Sequence, residues 1–172
     1  MSDKPLVDQA TRDRALDIGA SFIVQAPAGS GKTELLTLRY MRLLASCQQP
    51  EQVLAITFTR KAASEMRDRI LTTLRRAATL DEGDIGNLDG LARLRMITAR
   101  EVLAQDRNAN WRLLASPSRL RIQTIDSFCH YLASQLPVLS GTGGNPTVAE
   151  DVQPCFDEAI EKIDIGGPSL VR

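Results

Sequence analysis

The chain has 172 residues, 43% of them hydrophobic, 24% charged and 4% aromatic, with 21 basic against 21 acidic side chains. That length holds one ordinary domain, or one and a fraction, and the apolar share is too high for a wholly disordered chain. No apolar run approaches the roughly 18 residues of a membrane helix, the charged start MSDKPLVDQATRDRALD lacks the core of a signal peptide, and a single histidine excludes a His/Cys metal cluster.

Residues 21–26 (SFIVQA) form a short apolar run that ends in a Gly-containing loop, which predicts a buried strand. From residue 32 to about 46, Leu35, Leu36, Tyr40, Leu43 and Leu44 recur at helical spacing, with Pro50 soon after. Residues 53–58 (VLAITF) predict a second strand. A long helix follows over about 60–78, with Ala63, Met66, Ile70, Leu74 and Ala77 on one stripe and a favourable Glu65–Arg69 pair on its exposed side. Residues 81–90 (DEGDIGNLDG) predict a polar, Gly-rich loop. Helical pattern resumes over 91–105 and again at 111–115. A third strand is expected at 120–124 and a helix at about 127–135, closed by Leu136 and Pro137. Residues 141–146 (GTGGNP) are a flexible linker, and 153–164 a short weak helix. The alternation of strands and helices predicts an α/β domain on a parallel sheet.

The zero net charge hides an asymmetry. Residues 57–123 carry thirteen basic against eight acidic side chains, whereas 140–172 hold six acids against Lys162 and Arg172. A basic middle is consistent with a polyanionic partner, but composition alone favours a solvated helix face of mixed charge. Cys47, Cys129 and Cys155 are far apart and odd in number, which points to reduced thiols and a cytoplasmic protein. Cys129 and His130 are adjacent, so they point in different directions on a helix and do not make a nucleophile–base pair.

The strongest chemistry lies in Ala26, Pro27, Ala28, Gly29, Ser30, Gly31, Lys32 and Thr33, between a predicted strand and a predicted helix. Glycines let backbone N–H groups close around phosphate oxygens, and the helix N-terminus adds partial positive charge at the same point. Lys32 would reach the β- and γ-phosphates, and the Thr33 hydroxyl would coordinate Mg²⁺, making ATP with Mg²⁺ the expected cofactor. Ala26 stands where the usual GxxxxGK[ST] loop begins with Gly. Upstream, the Gln9 amide has the donor–acceptor pair that adenine presents.

Two further segments share one layout: strand end, hydroxyls, then a helix. In the first, Thr57, Phe58, Thr59 and Arg60 offer hydroxyls and helix N–H groups to a nucleic-acid backbone, with Phe58 either stacking on a base or packing in the core. In the second, Thr124, Asp126, Ser127 and Phe128 repeat the arrangement, with Asp126 or Ser127 also serving as a helix N-cap.

In this order and spacing, QAPAGSGKTELLTLRY, LAITFTRKAASEMRDRI and IQTIDSFCHYL resemble the N-terminal part of UvrD-like superfamily 1 DNA helicases. The likeness is nearest to the RecB/AddA-type helicase–nuclease branch and runs from about Val7 to Asp151. The resemblance implies a partial P-loop NTPase (RecA-like) domain over 1–136 with a helical insertion at about 80–118. Residues 137–172 would be a linker and the start of an accessory region. It implies that Gln9 reads adenine, that Ala26 to Thr33 hold ATP, and that Thr57, Phe58, Thr59, Arg60, Thr124, Asp126, Ser127 and Phe128 contact single-stranded DNA. Members of the family move 3′–5′ on single-stranded DNA by closing two RecA-like domains around ATP, in repair and recombination, and the branch works with a helicase–nuclease partner subunit. Hydrolysis needs an apolar strand ending in Asp-Glu, and no such run is present. The arginines that sense the γ-phosphate lie in the family's second domain. The expected activity is therefore ATP binding without unwinding. Two other readings share the loop: a small P-loop kinase, disfavoured by ITFTRKAASEM after the second strand, and a non-enzymatic nucleotide- or DNA-binding remnant.

Overall fold

The computed structural model describes residues 9–27 and 29–135. Its elements run α1 (Gln9–Ala15), α2 (Lys32–Ser46), β1 (Leu54–Thr57), α3 (Arg60–Thr79), α4 (Glu82–Gly86), α5 (Gly90–Asn108), β2 (Arg121–Thr124) and α6 (Ile125–Gln135), with single 3₁₀ turns at Pro50–Gln52 and Pro117–Arg119. The linker expected at 141–146 and the helix expected at 153–164 lie outside the described residues. The chain divides into two bodies, the first ending at Phe128 and holding the sheet and the helices α1 to α5. In the second, the last turns of α6 carry a local bond, Ser134 Oγ donating to the His130 carbonyl at 2.8 Å.

The core of the first body is helical. Leu38, Met41 and Leu44 of α2, Ile70, Leu74 and Ala77 of α3, and Met96, Ala99 and Val102 of α5 are all buried in one cluster. The stripe foreseen on α3 is the buried one, because side chains three and four apart lie on one face of a helix. On α2, by contrast, Leu36 is exposed and Met41 fills the core. Burying each Leu, Ile or Met contributes roughly 1.5–3 kcal/mol, so this three-helix layer is the main source of stability.

β1 and β2 pair in parallel, Leu54 with Arg121, Ala55 with Ile122, Ile56 with Gln123 and Thr57 with Thr124. The crossover between them holds α3, α4 and α5, as a parallel pair requires a long connection. The starts of both strands are tied together. Gln105 Nε2 donates to the Cys47 carbonyl at 2.8 Å and Trp111 Nε1 to the Gln48 carbonyl at 3.1 Å. Arg119 grips Glu51 with two bonds, at 2.6 and 3.0 Å, and donates to the Trp111 carbonyl at 3.0 Å. That forked pair holds the Glu51 carboxyl below the usual carboxylate range. Tyr40, buried behind β1, donates to the Val53 carbonyl at 3.3 Å, and burial pushes its phenol well above the ordinary range. Burial also pushes the Cys47 thiol up.

Three expectations are corrected. Residues 21–26 form no strand and are not buried: Ile23 is 99% exposed, and Phe22 and Val24 are exposed as well. A strand exists only through a neighbour's N–H and C=O groups, and the sheet among the described residues contains β1 and β2 alone. Phe22 instead takes the Arg39 guanidinium over its ring, 5.4 Å from the centroid. The loop expected at 81–90 contains α4, whose Ile85 is buried and whose first turn carries Glu82 and Asp84, charges that favour a helix N-terminus. Residues 111–115 form a turn, not a helix. Asn110 and Arg112 sit at φ 53° and 59°, and the Leu113 N–H goes to the Asp106 carboxylate at 2.8 Å. Trp111 and Leu113, two residues apart, are both buried there.

A phosphate-type loop and a hydroxyl-lined strand edge

α2 starts where the chain stops being free to do otherwise. Gly29 and Gly31 lie at φ 77° and 84°, conformations that any side chain would strain. Gly31 caps the helix and Lys32 opens it. No side chain caps this end, so its N–H groups are left for another acceptor. Lys32 Nζ folds back on the loop, donating to the carbonyls of Ala26 and, at 2.6 Å, Pro27. Thr33 is exposed at the head of the helix. The side chain of Gln9 and the whole of Ala28 lie outside the described residues, so of the expected loop set Ala26, Pro27, Gly29, Ser30, Gly31, Lys32 and Thr33 are placed.

α1 joins this loop. Arg12 Nη2 donates to the Ser30 carbonyl at 2.8 Å. The helix is itself anchored to α2, since Arg39 donates to the carbonyls of Ala15, Asp17 and Ala20, each at 2.7 Å, and Arg42 to Leu16 at 3.1 Å. Between α1, residues 22–26 and the loop lies a cavity of about 390 Å³. Ala15, Phe22, Val24 and Leu35 give it an apolar wall; Arg12, Arg14 and Lys32 give it three cations, and no carboxylate is among its described lining residues. Such a space suits a ligand with a flat apolar part and an anionic part. Arg12, Arg14 and Arg39 went unnoticed in the sequence; for Arg12 the signal was its i+3 spacing from Gln9 on one helix, and for Arg14 and Arg39 there was none.

Glu34, next to Thr33, pairs with Arg69 of α3 at 3.8 Å and with Arg95 of α5. The exposed Glu65–Arg69 pair expected on α3 is therefore replaced: Arg69 turns to Glu34, and Glu65 meets Lys61 at 4.0 Å. A carboxylate on another helix wins because it is partly shielded from water, where attraction is stronger. Among the described residues no group of three His, Cys, Asp or Glu side chains could hold a metal alone.

The two hydroxyl segments meet at the C-terminal edge of the sheet, where Thr57 and Thr124 are register partners. Thr57 Oγ1 donates to the Thr59 carbonyl at 2.9 Å, and Thr59 Oγ1 accepts from the Ala62 N–H at 3.1 Å, capping α3. Thr124 Oγ1 accepts from the Ser127 N–H at 3.2 Å and lies 2.9 Å from Ser127 Oγ. The cap of α6 is thus Thr124, not Asp126 or Ser127. Arg60, Asp126 and Ser127 are exposed and Phe128 is half-buried. Phe58 is 91% exposed, which leaves out the core alternative. Arg67 of α3 donates to the Ile122 carbonyl at 2.6 Å and so holds β2 against the helix that starts beside Phe58.

Comparison with known proteins gives this arrangement a lineage. The family model of the UvrD/REP helicase N-terminal domain matches residues 7–162. An ATP-dependent helicase/nuclease subunit from Lactobacillus helveticus is 34% identical over 122 residues, 71% of this chain and 8% of the relative. Its namesake from Clostridium beijerinckii is 28% identical over 166 residues, 88% of this chain and 11% of the relative. An ATP-dependent DNA helicase UvrD1 from Mycobacterium bovis is 46% identical over 61 residues, 35% of this chain and 8% of the relative. The chain thus spans only 8% to 11% of the length of these relatives. No solved structure matches. With the glycine loop, the paired threonine edges and a family match over most of its length, the chain belongs to the UvrD/REP helicase N-terminal domain family.

Proposed function

We propose that this chain is the ATP-binding, single-strand-contacting part of the first RecA-like (P-loop NTPase) domain of a 3′–5′ DNA helicase of the repair and recombination type. In this reading residues 1–136 form that partial domain with its helical insertion at about 80–118, and 137–172 lead into an accessory region. The observation that carries it is the cavity beside Gly29–Gly31, walled by Arg12, Arg14 and Lys32 and, among the described residues, by no carboxylate. The base would lie on the apolar wall near Gln9, and the triphosphate against the N–H groups of the loop and the Lys32 ammonium. Mg²⁺ fits only in company with phosphate oxygens, since carboxylates do not gather here among the described residues, and the Thr33 hydroxyl would hold it. Bound there, the ion would neutralise charge on the β- and γ-oxygens.

Single-stranded DNA would cross the edge formed by Thr57 and Thr124. Arg60 and the hydroxyls of Thr57, Thr59 and Ser127 would meet phosphates, Phe58 and Phe128 would stack on bases, and Asp126 would accept from a base or sugar donor. The relatives named as helicase/nuclease subunits support a helicase–nuclease partner for this chain. No acidic pair ends a strand among the described residues, so the chain binds ATP without turning it over. Titration of the 172-residue chain with MgATP, and of its DNA complex with ATPase substrate, tests this. Micromolar to millimolar MgATP binding without turnover is expected. Failure to bind MgATP refutes the reading, DNA-stimulated hydrolysis refutes the inactivity, and phosphorylation of a small acceptor favours a kinase.

A further inference from the structure

We infer that Arg12 is a positioning residue for the phosphate cradle: it sets the direction of the Gly31 N–H by holding the Ser30 carbonyl. The inference rests on the nucleotide-binding reading above. The peptide between Ser30 and Gly31 is planar and trans, so its C=O and N–H point in opposite directions. Arg12 Nη2 takes the Ser30 oxygen at 2.8 Å on the α1 side, which turns the Gly31 N–H to the other side of the loop. A cradle for an anion works only if successive N–H groups converge, and glycine at φ 84° is otherwise free to flip that peptide.

Two other observations place Arg12 in this role. A Cβ on residue 31 would lie 3.3 Å from Arg12 Nη1, so the guanidinium packs directly on the glycine it orients. And α1 is not adrift: Arg39 and Arg42 bind the carbonyls of residues 15–20, fixing the helix to the α2 that the loop opens. Arg12 thereby connects the helix that begins with Gln9 to the loop that would hold the phosphates, so base recognition and phosphate recognition share one support.

Because the contact is to a neutral carbonyl, it predicts a signature different from that of a direct ion pair with phosphate. Wild type, Arg12→Ala and Arg12→Lys are titrated, as the full 172-residue chain, with MgATP and with inorganic tripolyphosphate at several salt concentrations, while the Gly31 amide is followed by NMR. Arg12→Ala is expected to lose about tenfold for both ligands, the effect of one hydrogen bond from a charged donor. The dependence of affinity on salt should stay parallel to wild type, the Gly31 amide should exchange faster, and Arg12→Lys, which keeps a donor, should recover most of the loss. Undiminished affinity in Arg12→Ala overturns the inference even though wild-type binding upholds the nucleotide reading. So does a loss confined to ATP, or a shallower salt slope, since these place Arg12 on the base or on a phosphate.

Discussion

Replacing Lys32 by alanine removes an ammonium group that in the free chain is satisfied by two loop carbonyls, those of Ala26 and Pro27. Both bonds lie on a surface loop, outside the cluster of α2, α3 and α5, so their loss should lower folding stability by less than about 1 kcal/mol. Binding is another matter. On taking a triphosphate, Lys32 exchanges two neutral acceptors for two charged ones. Two bonds from the ammonium to phosphate oxygens are worth roughly 1.5–3 kcal/mol each, against the less than about 1 kcal/mol in all that the two bonds on the exposed loop contribute. The net difference is about 3 kcal/mol, or roughly a hundredfold in affinity. Calorimetric titration with MgATP beside a thermal melt of each protein separates the two quantities. An unaltered affinity at an unaltered melting temperature would refute the assignment of the loop, because no other described side chain offers an ammonium to that cavity.

Arg60→Ala should weaken binding to oligo(dT) and reduce the slope of log affinity against log salt by about 0.7, the release accompanying one single-strand phosphate contact; an unchanged slope in fluorescence anisotropy would remove Arg60 from the interface. Leu74→Ala, at a fully buried position in the helical core, should cost about 2–5 kcal/mol in urea unfolding. Glu51→Gln should abolish one pH dependence of stability. The carboxyl is held below its usual value of 4.5 by Arg119, so the pair stabilises the fold above that value and the benefit fades as pH falls through the lowered one. The half-exposed pair is worth about 0.5–1 kcal/mol, and wild type and variant should converge in stability towards acid. Persistence of the full difference at low pH would mean that packing, not charge, holds the two strand starts together.

These effects trace back to how the two halves of the candidate site are built. The loop is held by arginines reaching carbonyls on another element, Arg12 to Ser30 and Arg39 to the end of α1. The strand edge is held by threonines that cap the helices after them. Glu34 lies between the two halves: one residue past Thr33, it binds α3, the helix that Thr59 caps. A carboxylate so close to the proposed phosphate cradle would repel an anion if it were bare; Arg69 and Arg95 pair with it.

Local chemistry was enough to read from the sequence wherever one residue type decides the outcome. Gly29 and Gly31 announce a loop that closes without Cβ atoms in the way, and the stripe from Ala63 to Ala77 announces one buried helix face, because each follows from a backbone or periodicity rule acting within a few residues. Features that depended on distant groups could not be read that way. The apolar run at 21–26 is a good strand by composition, but strand formation needs a neighbouring backbone, and none among the described residues supplies it. Residues 111–115 read as a continuation of the helix, yet the Asp106 carboxylate takes the Leu113 amide that a helix would need. Arg69 chose a partner 35 positions away over the one four residues away, and Arg12 found the loop across 18. For both arginines the deciding energy is a hydrogen bond or ion pair between residues that only the packing of α1, α2 and α3 brings within reach.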